Sequence, residues 1–223
     1  GGGGGGGGGG ECHSPRNLLG GIEQKKAFTG ADIDGWFALN LTSNLKTGLG
    51  SWSVDDIATY LKTGADKSKS TSLGPMSEVV HNSLSFMTDD DLQAMAEYLK
   101  ALPASSAMSP DHQPDKTLAA GATTYVDNCS ACHQAQGSGI PGVFPALAGN
   151  GVVLAADAND ILKVVLFGIP VQDGYIAMPG FGDKLSDQQI ADLANYLRSS
   201  WGNGAAVNAT AAQVAALRKL PVE

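Results

Sequence analysis

Apolar residues recur at helical spacing in several separate stretches, and these set the expected elements. Ile57, Tyr60 and Leu61 follow Ser53, a capping-box-like start, and Gly64 suits the stop. Gly74-Pro75-Met76, then Val79 and Val80, reads as a short helix with proline in its first turn. From Thr88 to Lys100, Leu92, Met95, Ala96 and Leu99 form one stripe behind a threonine cap and three aspartates that suit the positive end of the helix dipole. Residues 116–128 place Leu118, Ala122, Tyr125 and Val126 on one face; 160–167 form a short apolar helix ending at Gly168. Ser186 to Ser200 carries Ile190, Leu193, Ala194 and Leu197 behind a Ser186/Gln189 capping box. Thr210 to Lys219 reads as a short helix lying across both halves of the chain. Residues 28–51, with Trp36 and Phe37, read as irregular loop. No segment alternates strongly enough to predict a strand, so the expected class is all-α.

The pattern runs twice. Residues 87–100 match residues 185–198 without a gap, in cap, apolar stripe and tyrosine; Ile57 and Gly64 match Ile161 and Gly168, Met76 matches Met178, and Cys12-His13 matches Cys132-His133. Both halves share the order Cys-His, helix, Met, helix. Residues 104–114 have linker composition. The expected division is a first domain over 1–103, a linker over 104–114, a second domain over 115–201 and a tail over 202–223.

Cys129-Ser130-Ala131-Cys132-His133 carries the chemistry. Cys-x-x-Cys-His is the attachment signature of c-type haem: two thiols bond the porphyrin edge and the imidazole binds the iron. A redox Cys-x-x-Cys normally lies near a βαβ pattern, and a structural zinc site needs four Cys/His ligands; both remain rivals. Ten glycines open the chain and stop one residue before Glu11-Cys12-His13. In a second copy of the motif the first cysteine belongs at position 9, so the run is read as standing in for other residues. The alternative is a genuine tag beside a single-cysteine attachment. Met76 and Met178 each sit in a Gly/Pro loop before a final helix, where sulfur can reach the iron face opposite the histidine. Met87 and Met95 fall on core faces instead. His81 and His112 read as solvated, and Arg16 as either a clamp for a haem propionate or a surface residue.

With 22 acidic against 14 basic residues and a net charge of −8, the chain has no basic cluster. That excludes nucleic acid as a partner and suits docking to a basic patch on another protein. No apolar run approaches the ~18 residues that span a bilayer, and no signal-peptide pattern opens the chain. The residues are expected to be soluble as they stand.

Cys-His-Ser-Pro-Arg-Asn-Leu-Leu-Gly (from Cys12), Gly-Trp-Phe-Ala-Leu-Asn-Leu-Thr, Gly-Leu-Gly-Ser-Trp, Gly-Pro-Met-Ser-Glu-Val-Val, Phe-Pro-Ala-Leu-Ala-Gly-Asn and Met-Pro-Gly-Phe together carry a family resemblance. The chain resembles the multi-haem cytochrome c subunits of bacterial membrane-bound periplasmic dehydrogenases. The resemblance runs from Glu11 to about Arg218. It implies two tandem class I cytochrome c-like haem domains, haem c attached at Cys12 and at Cys129 and Cys132, proximal His13 and His133, and distal Met76 and Met178. It further implies a third haem domain ahead of Gly1. The implied role is an electron-transfer subunit and not an enzyme. It would take electrons from a catalytic dehydrogenase subunit and pass them to ubiquinone or a terminal oxidase. The implied place is the periplasm, at the outer face of the inner membrane, with membrane association indirect or peripheral. The rival is a di-haem enzyme such as a peroxidase or thiosulfate dehydrogenase, with one iron open.

Overall fold

The structure, a computed structural model, describes residues 9–33, 35–66, 69–105, 116–171 and 175–220. The first half carries α1 (Gly9–Cys12), β1 (Ala31–Ile33), β2 (Trp36–Ala38), α2 (Val54–Thr63), α3 (Pro75–Asn82) and α4 (Asp89–Ala101). The second carries α5 (Lys116–Asn128), α6 (Ser130–His133), α7 (Gly151–Leu154), α8 (Asn159–Phe167), β3 (Gly168–Ile169), β4 (Met178–Pro179), α9 (Asp187–Ser199) and α10 (Ala211–Leu217). The fold is helical with little sheet.

Helix ends fall where the side chains can satisfy orphan backbone groups. Ser53 Oγ accepts from Asp56 N (3.0 Å) and Gly64 ends α2 in the left-handed region. Thr88 caps α4, and Ser186 with Gln189 forms the expected box on α9. Two small antiparallel ladders correct the expectation of no strands: β1 pairs β2 within the stretch read as loop, and β3 pairs β4. Strands of two or three residues are too short for a two-residue period to register. Residues 106–114 of the expected linker lie outside the described residues. Ser105 N donates to Thr42 Oγ1 (3.1 Å) and Ser105 O accepts from Asn44 Nδ2 (2.7 Å), which ties that position to the first half.

Each half has its own apolar cluster. Ile57, Leu61, Val80, Leu84, Leu92 and Ala96 form the first, with Met87 and Met95 packed against it as expected. The second lies between α5, α8, α9 and α10. Here α10 departs from its expected place across both halves. Val214 and Leu217, three residues apart on one face, bury against α8 and α9, and Arg218 bonds Asp187 and the Gly182 and Leu185 carbonyls. Where α5 crosses α9, Gly121 brings the two backbones together: a Cβ there would stand 2.2 Å from Asp192 O.

The repeat extends to the cations on the last helix of each half. Lys100 Nζ donates to Gly50 O (2.8 Å) and Trp52 O (2.7 Å). Arg198, fully buried at the matching position, donates to Val153 O (3.0 Å) and Ala206 O (2.7 Å). In each half a cation near the end of this helix thus ties down distant carbonyls: Gly50 and Trp52 ahead of α2 in the first half, and Val153 and Ala206 on either side of α9 in the second.

The halves dock through the β1–β2 hairpin. Phe37 N donates to Asp160 Oδ1 (2.8 Å), Lys163 Nζ stands 4.4 Å over the Trp36 ring, and Leu39 and Leu73 pack against the second cluster. Burial pushes the Asp160 carboxyl up to about 6 from 3.8; the Phe37 N–H and Lys163 oppose the rise, and Asp157 and Asp32 add to it. A raised carboxyl binds its proton more tightly in the docked fold than in the unfolded chain. Its contribution to stability is therefore greatest below pH 4 and falls as pH rises towards 6. At ~1.4 kcal/mol per pKa unit, Asp160 makes the fold up to ~3 kcal/mol more stable at pH 4 than at pH 7. Asp160→Asn should flatten that part of the stability–pH curve in paired urea titrations. A wild-type and variant difference independent of pH would refute it.

Candidate functional site

The second-half site grows from the end of α5. Cys129 N donates to Tyr125 O and His133 N to Cys129 O (both 2.9 Å), so helical geometry continues through the motif. Cys129, Cys132 and His133, at i, i+3 and i+4, therefore share a face. Past His133 the chain turns back through Gln134 (φ 64), Gly137 (φ 62) and Gly139 (φ 61). Gly139 N donates to His133 O (3.0 Å) and Ile140 N to Phe144 O (2.8 Å), and a Cβ at Gly139 would stand 2.4 Å from Phe144 O. This tight loop delivers Pro145 O to 2.9 Å from His133 Nδ1. A carbonyl can only accept, so Nδ1 holds the proton and Nε2 keeps its lone pair for a ligand bond. Burial pulls the His133 pKa below its ordinary value, opposed by the Pro145 contact, so the ring is neutral, the form a metal needs.

Met178 reaches the same cleft from the far side of α8. It lies in β4, not in an irregular loop as expected. Phe181 N donates to Val165 O (2.8 Å) and Gly182 N to Leu166 O (3.1 Å), which fastens this segment to the C-terminal end of α8. Gly168 permits the approach: a Cβ there would meet Met178 O at 2.3 Å. Cys129, Cys132, His133 and Met178 line one cleft with apolar walls that include Phe144 and Phe181, enclosing about 480 Å³ of atom-free space partly open to solvent. Burial, with Cys132 beside it, pushes the Cys129 thiol up to about 11 against the pull of Lys184, so it stays protonated at neutral pH.

The first-half residues are placed differently. Cys12 closes α1 and His13 follows, half-buried. His13 Nδ1 lies 2.7 Å from Leu39 O, so this imidazole also commits its proton to a carbonyl, and burial lowers its pKa too. Met76 sits in the first turn of α3 and not in a loop, half-buried at the edge of the first apolar cluster. Arg16 donates to Gly20 O (2.9 Å) and Glu11 O (3.5 Å), so its guanidinium is engaged by its own exposed loop. His81 is exposed, as expected; His112 lies outside the described residues. The carbonyls of Leu39 and Pro145 carry no sequence label and were not foreseen. The paired glycines at 137 and 139 were the available signal for the second.

Two thiols, a neutral imidazole and a thioether around an apolar cleft fit covalently attached haem. Among the described residues no group of three or more His, Cys, Asp or Glu side chains could hold a metal ion, which leaves the zinc reading short of ligands. The class this defines is the haem-attachment domain of c-type cytochromes, and known proteins agree. The sequence profile of cytochrome c matches residues 118–201. The alcohol dehydrogenase (quinone) cytochrome c subunit of Gluconobacter oxydans (strain 621H) is 41% identical over 93% of this chain and 48% of its own length. The gluconate 2-dehydrogenase cytochrome c subunit of Pantoea cypripedii is 38% identical over 93% of this chain and 52% of its own. Cytochrome c-552 of Thermus thermophilus is 35% identical over 44% of this chain and 83% of its own. The chain belongs to the cytochrome c family. It spans about half the length of the two dehydrogenase subunits.

Proposed function

We propose that this chain is a di-haem c-type cytochrome, built as two tandem class I-like domains, that relays electrons within a dehydrogenase complex. The donor is a catalytic dehydrogenase subunit, the acceptor ubiquinone or a terminal oxidase, and the compartment the periplasm at the outer face of the inner membrane. The observation carrying the reading is the cleft that gathers Cys129, Cys132, His133 and Met178. The names of the two long relatives support the complex. Among the described residues no helix is long and apolar enough to cross a membrane.

The residues assign themselves roles by their chemistry. Cys129 and Cys132 would hold the haem by thioether bonds, and His133 Nε2, oriented by Pro145 O, would bind its iron. Met178 sulfur would supply a further ligand, whose weak donation would raise the reduction potential. Bound haem supplies a reversible one-electron iron couple. Were imidazole and thioether both to bind the iron, no position would stay open for a small substrate, which favours a carrier over a peroxidase or thiosulfate dehydrogenase. Phe144 and Phe181 exclude water and keep the local dielectric low. In the first half Cys12, His13 and Met76 take the same parts, and Arg16 holds the loop that follows the motif.

Intact mass and a pyridine haemochrome assay should count two haems per chain. Met178→Ala should lower the potential of one centre and make it bind carbon monoxide rapidly, with its haem retained. Unchanged potentials and no carbon monoxide complex would remove Met178 from the ligand set.

A further inference from the structure

The first haem site is braced against the second half. The β1–β2 hairpin holds His13 at its base, where Gly30 N donates to His13 O (2.9 Å) and Leu39 O accepts from the imidazole (2.7 Å). Near its tip the hairpin is held by α8: Phe37 N donates to Asp160 Oδ1 (2.8 Å), and Lys163 Nζ sits over Trp36. Both α8 side chains are buried. Trp36 also packs on Gly74, the N-cap of the helix that carries Met76; a Cβ on Gly74 would stand 2.6 Å from the indole. The neighbouring side chains of Leu39 and Leu73 reach into the second apolar cluster. The other end of α8 runs into β3, which pairs with the strand bearing Met178. One helix thus supports the first histidine from its first turn and the second methionine from its last. The two supports are ~12 Å apart at ~1.5 Å of rise per residue.

We propose that Asp160 is a positioning residue for His13, acting through the hairpin, and that α8 is the strut joining the two haem sites. This rests on the two-haem reading. Without the carboxylate, the half-buried Phe37 N–H loses a charge-assisted partner and the hairpin is released at its tip. The movement passes to Leu39, and the Nδ1–H···O bond that sets the imidazole's orientation and basicity weakens. A less basic ligand favours ferrous over ferric iron, so the potential of that centre rises.

Spectroelectrochemical titration of the holoprotein tests this, with the first centre identified as the wave that Met178→Ala leaves in place. In Asp160→Ala that wave should move to higher potential while the second stays put. Asp160→Asn keeps an oxygen acceptor for Phe37 N–H and should return the wave to its wild-type position. Lys163→Met, which removes the cation from Trp36, should move it in the same direction by less, and carries the test if Asp160→Ala does not fold. Two waves that stay fixed in these variants, or that shift together with a fall in melting temperature, would overturn the inference and leave the two-haem reading standing. A single haem by pyridine haemochrome assay would remove both.

Discussion

Replacing Gly168 with alanine is expected to cost the second site its thioether while the haem stays attached. Gly168 has φ 78, where an added Cβ costs ~1–2 kcal/mol. That Cβ would also stand 2.3 Å from Met178 O, 2.6 Å from Gly180 N and 2.8 Å from Pro179 C. All three are backbone atoms, so no rotamer change relieves the contact; the strand carrying Met178 must shift. Overpacking of this kind adds ~1–3 kcal/mol, giving a total destabilisation of ~2–5 kcal/mol. Cys129 stands at the junction of α5 and α6, and Cys132 and His133 stand on α6, so they keep their places. The variant should retain covalent haem in acid acetone, lose the red methionine–iron charge-transfer band and bind carbon monoxide rapidly at that centre. An intact band with wild-type potential would show that β4 does not depend on Gly168.

Gly168 has one role that the sequence shows and one that only the fold shows. It read as a helix stop, correctly, since Gly168 caps α8 and donates to Val164 O. Its second role comes from a strand ten residues further on, and a two-residue ladder leaves no periodic trace. The same holds for the acceptors of the two histidines. The cysteines, His13, His133, Met76 and Met178 are chemically distinctive, and the repeat singles them out by register. Leu39 and Pro145 act through carbonyls that every residue possesses. Asp160 read as the polar start of a short helix, and its partner is 123 positions away. The match of Lys100 with Arg198 was visible, but only the folded loops show each cation gripping carbonyls. Helices were legible because burial on one face imposes a period; the docking of the halves was not, because it depends on a few individual contacts with no period, polar at Phe37 and Asp160 and apolar at Leu39 and Leu73.

Gly121→Val should be the most destabilising of these changes. Helices α5 and α9 cross at Gly121, where a Cβ would meet Asp192 O at 2.2 Å, Tyr196 Cβ at 2.6 Å and Asp192 C at 2.8 Å. None of these atoms can swing away, so the helices themselves must part. One turn along α5, Tyr125 packs on Tyr196 and Trp201, with ring centroids 5.6 Å and 5.0 Å away. Such aromatic pairs contribute ~0.5–1.5 kcal/mol each beyond their buried area, and separation weakens both. Added to ~1–3 kcal/mol for overpacking, the loss is ~2–6 kcal/mol, a large share of the ~5–15 kcal/mol that holds an ordinary domain together. At ~2–4 °C per kcal/mol for a chain of this size, the melting temperature should fall by roughly 4–24 °C. The damage should also reach the site, because the Tyr125 hydroxyl donates to Gln134 O, at the start of the loop that brings Pro145 to His133. Calorimetry of the holoprotein measures the first effect and the potential of the second haem the second. A melting point within 2 °C of wild type would mean that the α5–α9 crossing relaxes at little cost and that Gly121 does not set the helix spacing.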